Sequence, residues 1–163
     1  MSSNVTNIIV AGIGGQGVLK ASDILSDVVF RAGYDVKKSE IHGMSQRGGS
    51  VASDVRFGEQ VFSPMVPPGE ADFLVLLESE QREANAGRLR PQGMLIAPEM
   101  LEDPMLRVSK SLNVALLGIL SAHLPIDLSI WEQAVRANLP EKFFDVNWKA
   151  FLSGRECKAG ISA

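Results

Sequence analysis

The sequence predicts an α/β domain on a mostly parallel sheet, with an antiparallel hairpin attached. Three observations carry this. An apolar run, Ile8 to Ala11, passes through four glycines within six residues into an apolar-periodic run, Val18 to Ala32. That order is buried strand, glycine turn, helix. Ala71-Asp72-Phe73-Leu74-Val75-Leu76-Leu77 is a near-continuous apolar strand, the kind found where a parallel sheet is covered on both faces. Val51 to Gly58 alternates, with Val51, Ser53, Val55 and Phe57 on one face. Gly58-Glu59 then reads as a turn and Gln60-Val61-Phe62 as a short returning strand, which gives the hairpin.

The glycine turn organises the rest. Gly12, Gly14 and Gly17 fit G-x-G-x-x-G, a Rossmann-like start that brings backbone N–H groups and a helix N-terminus up to a phosphate. Gly12 is expected to take the tight turn with positive φ, Gly14 to allow close approach of a ligand, and Gly17 to let the helix lie close on the strand. The pattern does not fix Gly15 or Gln16; Gln16 places an amide donor and acceptor at the helix mouth. Dinucleotide-binding domains confirm the motif with an acidic residue about 20 residues on, at the end of the second strand. Here the second strand is expected over Asp35 to Lys38, after a C-cap at Gly33. Asp35 begins that strand rather than ending it, and Glu40, near the right spacing, lies in a glycine-rich stretch. A nicotinamide or flavin ligand, another phosphate ligand, and a turn used only for packing all stay open.

The whole chain sets bounds. With 163 residues it is expected to be one domain, 1–163. Hydrophobic content of 45% and charged content of 21% suit a soluble globular protein. A net charge of −3 argues against a nucleic-acid footprint. No apolar run reaches the roughly 20 residues of a membrane span, and Met1-Ser2-Ser3-Asn4 does not open a secretory signal. Cys157 is the single cysteine, so the chain cannot hold an iron–sulfur cluster or an internal disulfide. His42 and His123 lack partners at ligand spacing, so no metal site is expected.

Ser39 to Ser50 shows neither helical period nor alternation and gathers Glu40, His42, Gln46 and Arg47 among Gly43, Gly48 and Gly49. A loop of that composition suits anion binding by glycine backbone and an arginine fork, against the plainer alternative of a solvated surface loop. Pro64, Pro67, Pro68 and Gly69 make the next segment irregular. Glu78, at the end of the apolar strand, either complements a helix dipole or faces a ligand. A surface helix is expected over Glu80 to Leu89, a turn at Pro91-Gln92-Gly93, a strand over Gly93 to Ala97, and a short edge strand over Leu106 to Val108. Asn113 to Ala122 is an almost wholly apolar helix, buried in a core or at a subunit interface. Asn113 either caps it or faces a site. Amphipathic helices follow over Ile130 to Asn138 and Glu141 to Leu152. The second carries Phe143, Phe144, Val146, Trp148 and Phe151, expected in the core.

The two glycine-rich stretches resemble a known family. Gly12-x-Gly14-Gly15-Gln16-Gly17, followed by Ser39-Glu40-Ile41-His42-Gly43-Met44-Ser45-Gln46-Arg47-Gly48-Gly49-Ser50-Val51, is similar to the gamma component of 2-oxoacid:ferredoxin oxidoreductases. The Ile-His-Gly-Met-x-Gln-Arg-Gly-Gly form most resembles that of the beta subunit in the indolepyruvate branch. The likeness continues through Ser53-x-Val55-Arg56-Phe57-Gly58, Asn113-x-x-x-Leu117-Gly118 and Pro140-Glu141-Lys142 to Ala150-Phe151. The chain is shorter at its C-terminus than that branch leads one to expect, so a related subunit with another oxoacid preference is compatible.

The resemblance implies a three-layer α/β/α domain serving as one subunit of a thiamine-diphosphate enzyme. That family decarboxylates a 2-oxoacid, passes two electrons to ferredoxin and transfers the acyl group to coenzyme A. Thiamine diphosphate, Mg and [4Fe-4S] clusters are expected on a larger alpha subunit, with no cofactor on this chain alone. The implied state is a cytoplasmic hetero-oligomer, α2β2, that reaches ferredoxin through the complex. The site residues it implies are His42 and Arg47 as catalytic groups, with Gly12, Gly14, Gly15, Gln16, Gly17, Gly48 and Gly49 as the ligand cradle. His42 belongs to the one residue type that titrates near neutrality. Arg56 is a weaker candidate, since an arginine on a strand face is more often a solvated charge. Two other readings stand beside this one: a free-standing Rossmann-type NAD or FAD enzyme, and an assembly module whose glycine loops only dock.

Overall fold

The computed structural model describes residues 4–43 and 49–157. Five strands form one sheet in the order β2-β3-β1-β4-β5. They are β1 Thr6–Ile13, β2 Asp35–His42, β3 Ser50–Gly58, β4 Ala71–Leu76 and β5 Leu89–Ile96. The helices are α1 Val18–Arg31, α2 Arg82–Ala86, α3 Pro104–Arg107, α4 Leu112–Ser121, α5 Leu128–Asn138 and α6 Glu141–Arg155. β1 pairs parallel to β4 and β4 parallel to β5. β3 runs antiparallel to both of its neighbours, β1 and β2. The α/β class therefore holds, with β3 as the one reversed strand.

Sequence alternation decides which side of each strand is covered by helices. Ile8 and Val10 of β1, Val55 and Phe57 of β3, and Val75 of β4 face α1, α4, α5 and α6 in the main core. Ile9, Ala11, Leu74 and Leu76 face the other way, into a smaller core closed by Val66. That second cover is the short α2 and the irregular proline-rich segment between β3 and β4. The α1 crossover leaves β1 toward the β2 edge and the α2 crossover leaves β4 toward the β5 edge. Right-handed crossovers moving in opposite directions put their helices on opposite faces, so α1 and α2 lie on different layers.

The apolar helix resolves to the core: every residue of α4 is buried. It packs on α6 through a backbone crossing at Gly118 and Gly154. A subunit interface is not needed to explain its composition. Trp131 and Phe151 are fully buried and their rings lie 5.4 Å apart. Phe144 is also buried, and the Arg136 guanidinium stands 3.8 Å from its ring centroid. Phe143 and Val146 depart from the expectation, being 47% and 56% exposed on the outer side of α6.

Five expected elements change. The hairpin partner of β3 is β2, paired from Asp35↔Gly58 to His42↔Val51, and not residues 60–62. Those residues instead begin a strap held by side chains: Val61 N donates to Asp35 Oδ2 and Arg56 Nη1 to Ser63 O. β2 accordingly runs on through Ser39, Glu40 and Ile41 to His42, which the glycine-rich composition had assigned to a loop. The expected helix over Glu80 to Leu89 is cut to a 3-10 turn and the five residues of α2. Leu89 already belongs to β5, and Pro91-Gln92-Gly93 is a bulge in that strand, where pairing moves from Ala71↔Leu89 to Phe73↔Met94. Leu106 lies in α3 and not in an edge strand, because Asp103 caps it by accepting from Met105 N at 2.9 Å with Pro104 at the first position.

Candidate functional site

The glycine turn sits at the C-terminal ends of β1 and β4, where the chain's two crossovers diverge. In open α/β sheets that point leaves a crevice at the strand ends. The turn's conformation differs from expectation in one respect. Positive φ falls at Gly15 (90°) and Gly17 (85°), not at Gly12. Gly12 is needed for space: a Cβ there would lie 2.7 Å from Gln16 Oε1 and 3.2 Å from Leu77 Cβ.

Gln16 works inward. Its Oε1 accepts from Ile13 N at 2.9 Å and its Nε2 donates to Glu78 Oε2 at 3.0 Å. The amide thus closes the turn and holds the carboxylate that follows β4. Gln16 N donates to Ile13 O, and Gly14 N donates to Gly49 O at 2.9 Å, which ties the turn to the start of β3. The amides left for a ligand are those of the first turn of α1, which have no intrahelical acceptor. Asn113 settles between its two readings by facing the turn. Ser111 holds the N-cap position, while Asn113, 7% exposed, donates from Nδ2 to Gly17 O at 3.2 Å.

Two concavities flank the turn. One, about 280 Å³, is bordered by His42, Lys20, Val51 and Gly14. The other, about 420 Å³, is bordered by Gly15, Gly17, Arg107, Lys110 and Asn113. It runs on past Gln16 into a further hollow of about 340 Å³ that reaches Glu78 and Glu99. Of the expected site residues, the structure brings Gly12, Gly14, Gly15, Gln16, Gly17, His42 and Gly49 to one end of the sheet. Arg47 and Gly48 lie outside the described residues. Arg56 is a brace, donating from Nε to Asn7 Oδ1 at 2.7 Å as well as to Ser63 O. Arg107 and Lys110 border the turn without being among the residues that the sequence points to. The Asp103-Pro104 cap was the signal that would have turned this stretch into a helix end facing the glycine turn.

The ribose-holding acid is not there to be found. β3 separates β2 from β1, so Glu40 is two strands away from the turn, and its carboxylate pairs with Lys38 at 2.9 Å. Burial pulls the Lys38 ammonium toward a lower pKa, but hydrogen bonds to Asp23 and Glu40 outweigh it and leave the pKa raised. Among the described residues, no group of three or more His, Cys, Asp or Glu could hold a metal ion. Cys157 donates from Sγ to Ser153 O and has no second thiol in the chain, so these residues do not fit an iron–sulfur cluster. No described helix is long and apolar enough to cross a membrane.

The family model described as pyruvate ferredoxin/flavodoxin oxidoreductase matches residues 7–157. The chain belongs to this family. Relatives named indolepyruvate oxidoreductase subunit IorB share 32% identity in Thermococcus kodakarensis and 31% in Pyrococcus horikoshii. Each match spans 91% of this chain and 93% of the relative. These bear out the likeness to the indolepyruvate branch. Among solved structures, the gamma subunit of a keto/oxoacid ferredoxin oxidoreductase from Geobacter sulfurreducens superposes with a TM-score of 0.75 at 22% identity, over 95% of this chain and 97% of its own. A 2-oxoglutarate:ferredoxin oxidoreductase from Magnetococcus marinus, solved with 2-oxoglutarate, coenzyme A and succinyl-CoA bound, gives a TM-score of 0.79 at 20% identity. This chain spans 31% of that one. At these identities the structures share the fold of this family member, an α/β domain with a mixed sheet.

Proposed function

We propose that this chain is the cofactor-free subunit of a 2-oxoacid:ferredoxin oxidoreductase that acts on indolepyruvate or a related aryl-pyruvate. The observation that carries the reading is the match, over nearly the whole length of both chains, to relatives named as indolepyruvate oxidoreductase subunits. The larger subunit of an α2β2 complex brings thiamine diphosphate, Mg and [4Fe-4S] clusters. The 2-oxoacid loses CO2, two electrons pass to ferredoxin, and the acyl group goes to the thiol of coenzyme A. This chain closes over the partner's active site. Its glycine turn faces coenzyme A, His42 stands at the turn's flank, and Arg47 grips an anion with its planar fork. The complex works in the cytoplasm.

The test is reconstitution with the larger subunit from the same source. Coenzyme-A-dependent reduction of a viologen dye by indolepyruvate is expected from the complex and not from either chain alone. Dye reduction by this chain by itself, or a reconstituted complex that is inert to every 2-oxoacid offered, overturns the reading. The dinucleotide-enzyme alternative is disfavoured by Glu40, which is bound to Lys38 and separated from β1 by β3. Flavin absorbance in the purified chain would revive it.

A further inference from the structure

β2 is an edge strand with little to keep another strand off it. Its eight residues pair with β3 without a break, from Asp35 to His42, and include neither proline nor glycine. Its outer side has no backbone partner among the described residues. The opposite edge, β5, carries Pro91 and a bulge, two usual defences against edge pairing. Lysine is another such defence, but both lysines of β2 are neutralised within the chain. Lys37 pairs with Asp35 at 3.2 Å; Lys38 pairs with Asp23 and, at 2.9 Å, with Glu40. Large apolar side chains lie exposed beside this edge on both faces of the sheet. On the strap face Ile41 is 46% exposed, and Phe62, next to the Val61 that is tied to Asp35, is 84% exposed. On the helical face Phe30 is 69% exposed and stands two turns beyond Asp23, on the flank of α1 that meets Lys38.

We propose that β2 pairs antiparallel with β2 of a second copy of this chain, joining two five-stranded sheets into one. A two-fold axis normal to the sheet sets one residue opposite its own copy. Centring it on Lys37, Lys38 or Glu40 puts like charges face to face, which destabilises a strand pair. Centring it on Val36 or Ile41 leaves much of the strand unpaired. Ser39 is the centre that lets the whole strand overlap. Lys38 of each copy then faces Glu40 of the other, Lys37 faces Ile41 and Val36 faces His42. Asp35 comes level with Gly43 of the second copy, which brings each strap, with its Phe62, beside the other copy's Ile41. The helices leave room for this. α1 packs over β3, and the two β3 strands stand three strand spacings, about 14 Å, apart. Helices about 10–12 Å across fit side by side there. An α2β2 assembly supplies two copies, but the pairing needs only this chain and does not depend on the oxoacid reading.

The experiment is sedimentation of the full chain, with cysteine cross-linking to fix the register. A mass of twice 17.6 kDa is expected. In a Cys157→Ser background, Ser39→Cys is expected to give a covalent dimer on mild oxidation, because facing residues lie about 4.5–5.5 Å apart at Cα, within disulfide reach. Lys37→Cys is offset from its own copy by four residues, about 14 Å, and should stay unlinked. Glu40→Lys and Lys38→Glu are each expected to weaken dimerisation by about tenfold or more. An equimolar mixture of the two should dimerise again, since every facing pair then carries opposite charges. Lys38→Glu also loses its bond to Asp23; if it does not fold, the two cysteine variants decide. A chain that sediments as a monomer, Lys37→Cys linking as readily as Ser39→Cys, or a mixture of folded variants no more associated than its components each overturns the proposal. So does protection of the β2 amides from exchange that appears only on adding the larger subunit, which would assign the edge to that subunit.

Discussion

Gly118 lies against the backbone of Phe151: a Cβ on the glycine would come within 2.0 Å of the Phe151 carbonyl oxygen. The relationship is nearly reciprocal, since a Cβ on Gly154 would lie 2.0 Å from Ala115 O. Neither obstacle is a side chain that can swing away. Gly118→Ala and Gly154→Ala should each force α4 and α6 apart and destabilise by about 3 kcal/mol, the upper part of the usual overpacking range. That corresponds to a melting temperature lower by roughly 6–12 °C. A variant that melts with the wild type would show that the helices cross less closely.

The two left-handed glycines of the turn should respond differently to the same change. Gly15 has open space around it, so Gly15→Ala carries only backbone strain, about 1–2 kcal/mol. A Cβ on Gly17 would also sit 2.4 Å from Asn113 Nδ2 and push that side chain off the Gly17 carbonyl. Gly17→Ala should therefore be the more damaging by about 1 kcal/mol, the net worth of the displaced hydrogen bond. Chemical denaturation of the pair checks the order, and equal costs would mean that Asn113 moves aside freely.

Asp54 is fully buried, and Arg88 Nη2 and Val66 N both donate to its Oδ2, at 2.7 and 2.9 Å. Arg88→Leu leaves that carboxylate uncompensated and should cost about 3 kcal/mol or more. Adding Asp54→Leu to Arg88→Leu should recover part of the loss, because the remaining group is then apolar. A double variant no more stable than Arg88→Leu alone would contradict this account.

Acid should loosen the strap before the core. The hydrogen bond from Val61 N, followed by that from Lys37, holds the Asp35 carboxyl below its ordinary value of 3.8. A depressed folded-state pKa means that the contribution is complete above the unfolded value and lost as pH falls through the folded one. The strap's tether is thus constant at neutral pH and fails only below about pH 3.8. Amide exchange at Val61 measured down that range should rise ahead of exchange in β1. Simultaneous release would tie the strap to global unfolding.

Arg47→Lys tests the glycine-loop assignment. A lysine keeps the charge but not the fork, so turnover or coenzyme A affinity of the reconstituted complex should fall by roughly 10- to 150-fold, as for loss of about 1.5–3 kcal/mol. Arg56→Lys should leave turnover nearly unchanged, since Arg56 braces Asn7 and the strap. Wild-type kinetics for Arg47→Lys in an intact complex would make the loop structural.

The parts of this molecule legible in the sequence are those written in local chemistry. β1, the glycine turn and α1 follow from an apolar run, glycine spacing and helical period. β4 follows from its unbroken apolarity, and α4 to α6 from periodicity. The full length of β2 is not legible, because glycine and polar content argue against a strand, whereas its pairing with β3 is a tertiary fact. Pro91-Gln92-Gly93 carried a true irregularity signal, yet a bulge absorbed it within β5. Gln16 reads as a ligand group in the sequence because only the fold brings Glu78, 62 positions away, into its reach. Lys110 and Arg107 are not legible there, because no local pattern says that two cations beside a helix end will stand opposite a glycine turn.

The order in which the chain emerges during synthesis gives the α4–α6 crossing a further meaning. β1 is made first but sits in the middle of the sheet, waiting for partners that come 37 to 65 residues later. α4, apolar on every side, follows with one flank still bare until α6 leaves the ribosome. Gly154 and Phe151, near the end of the last helix, are what finally cover it. A chain in which α6 is not yet docked displays an oily helix, the kind of exposed apolar surface that makes folding intermediates prone to aggregate.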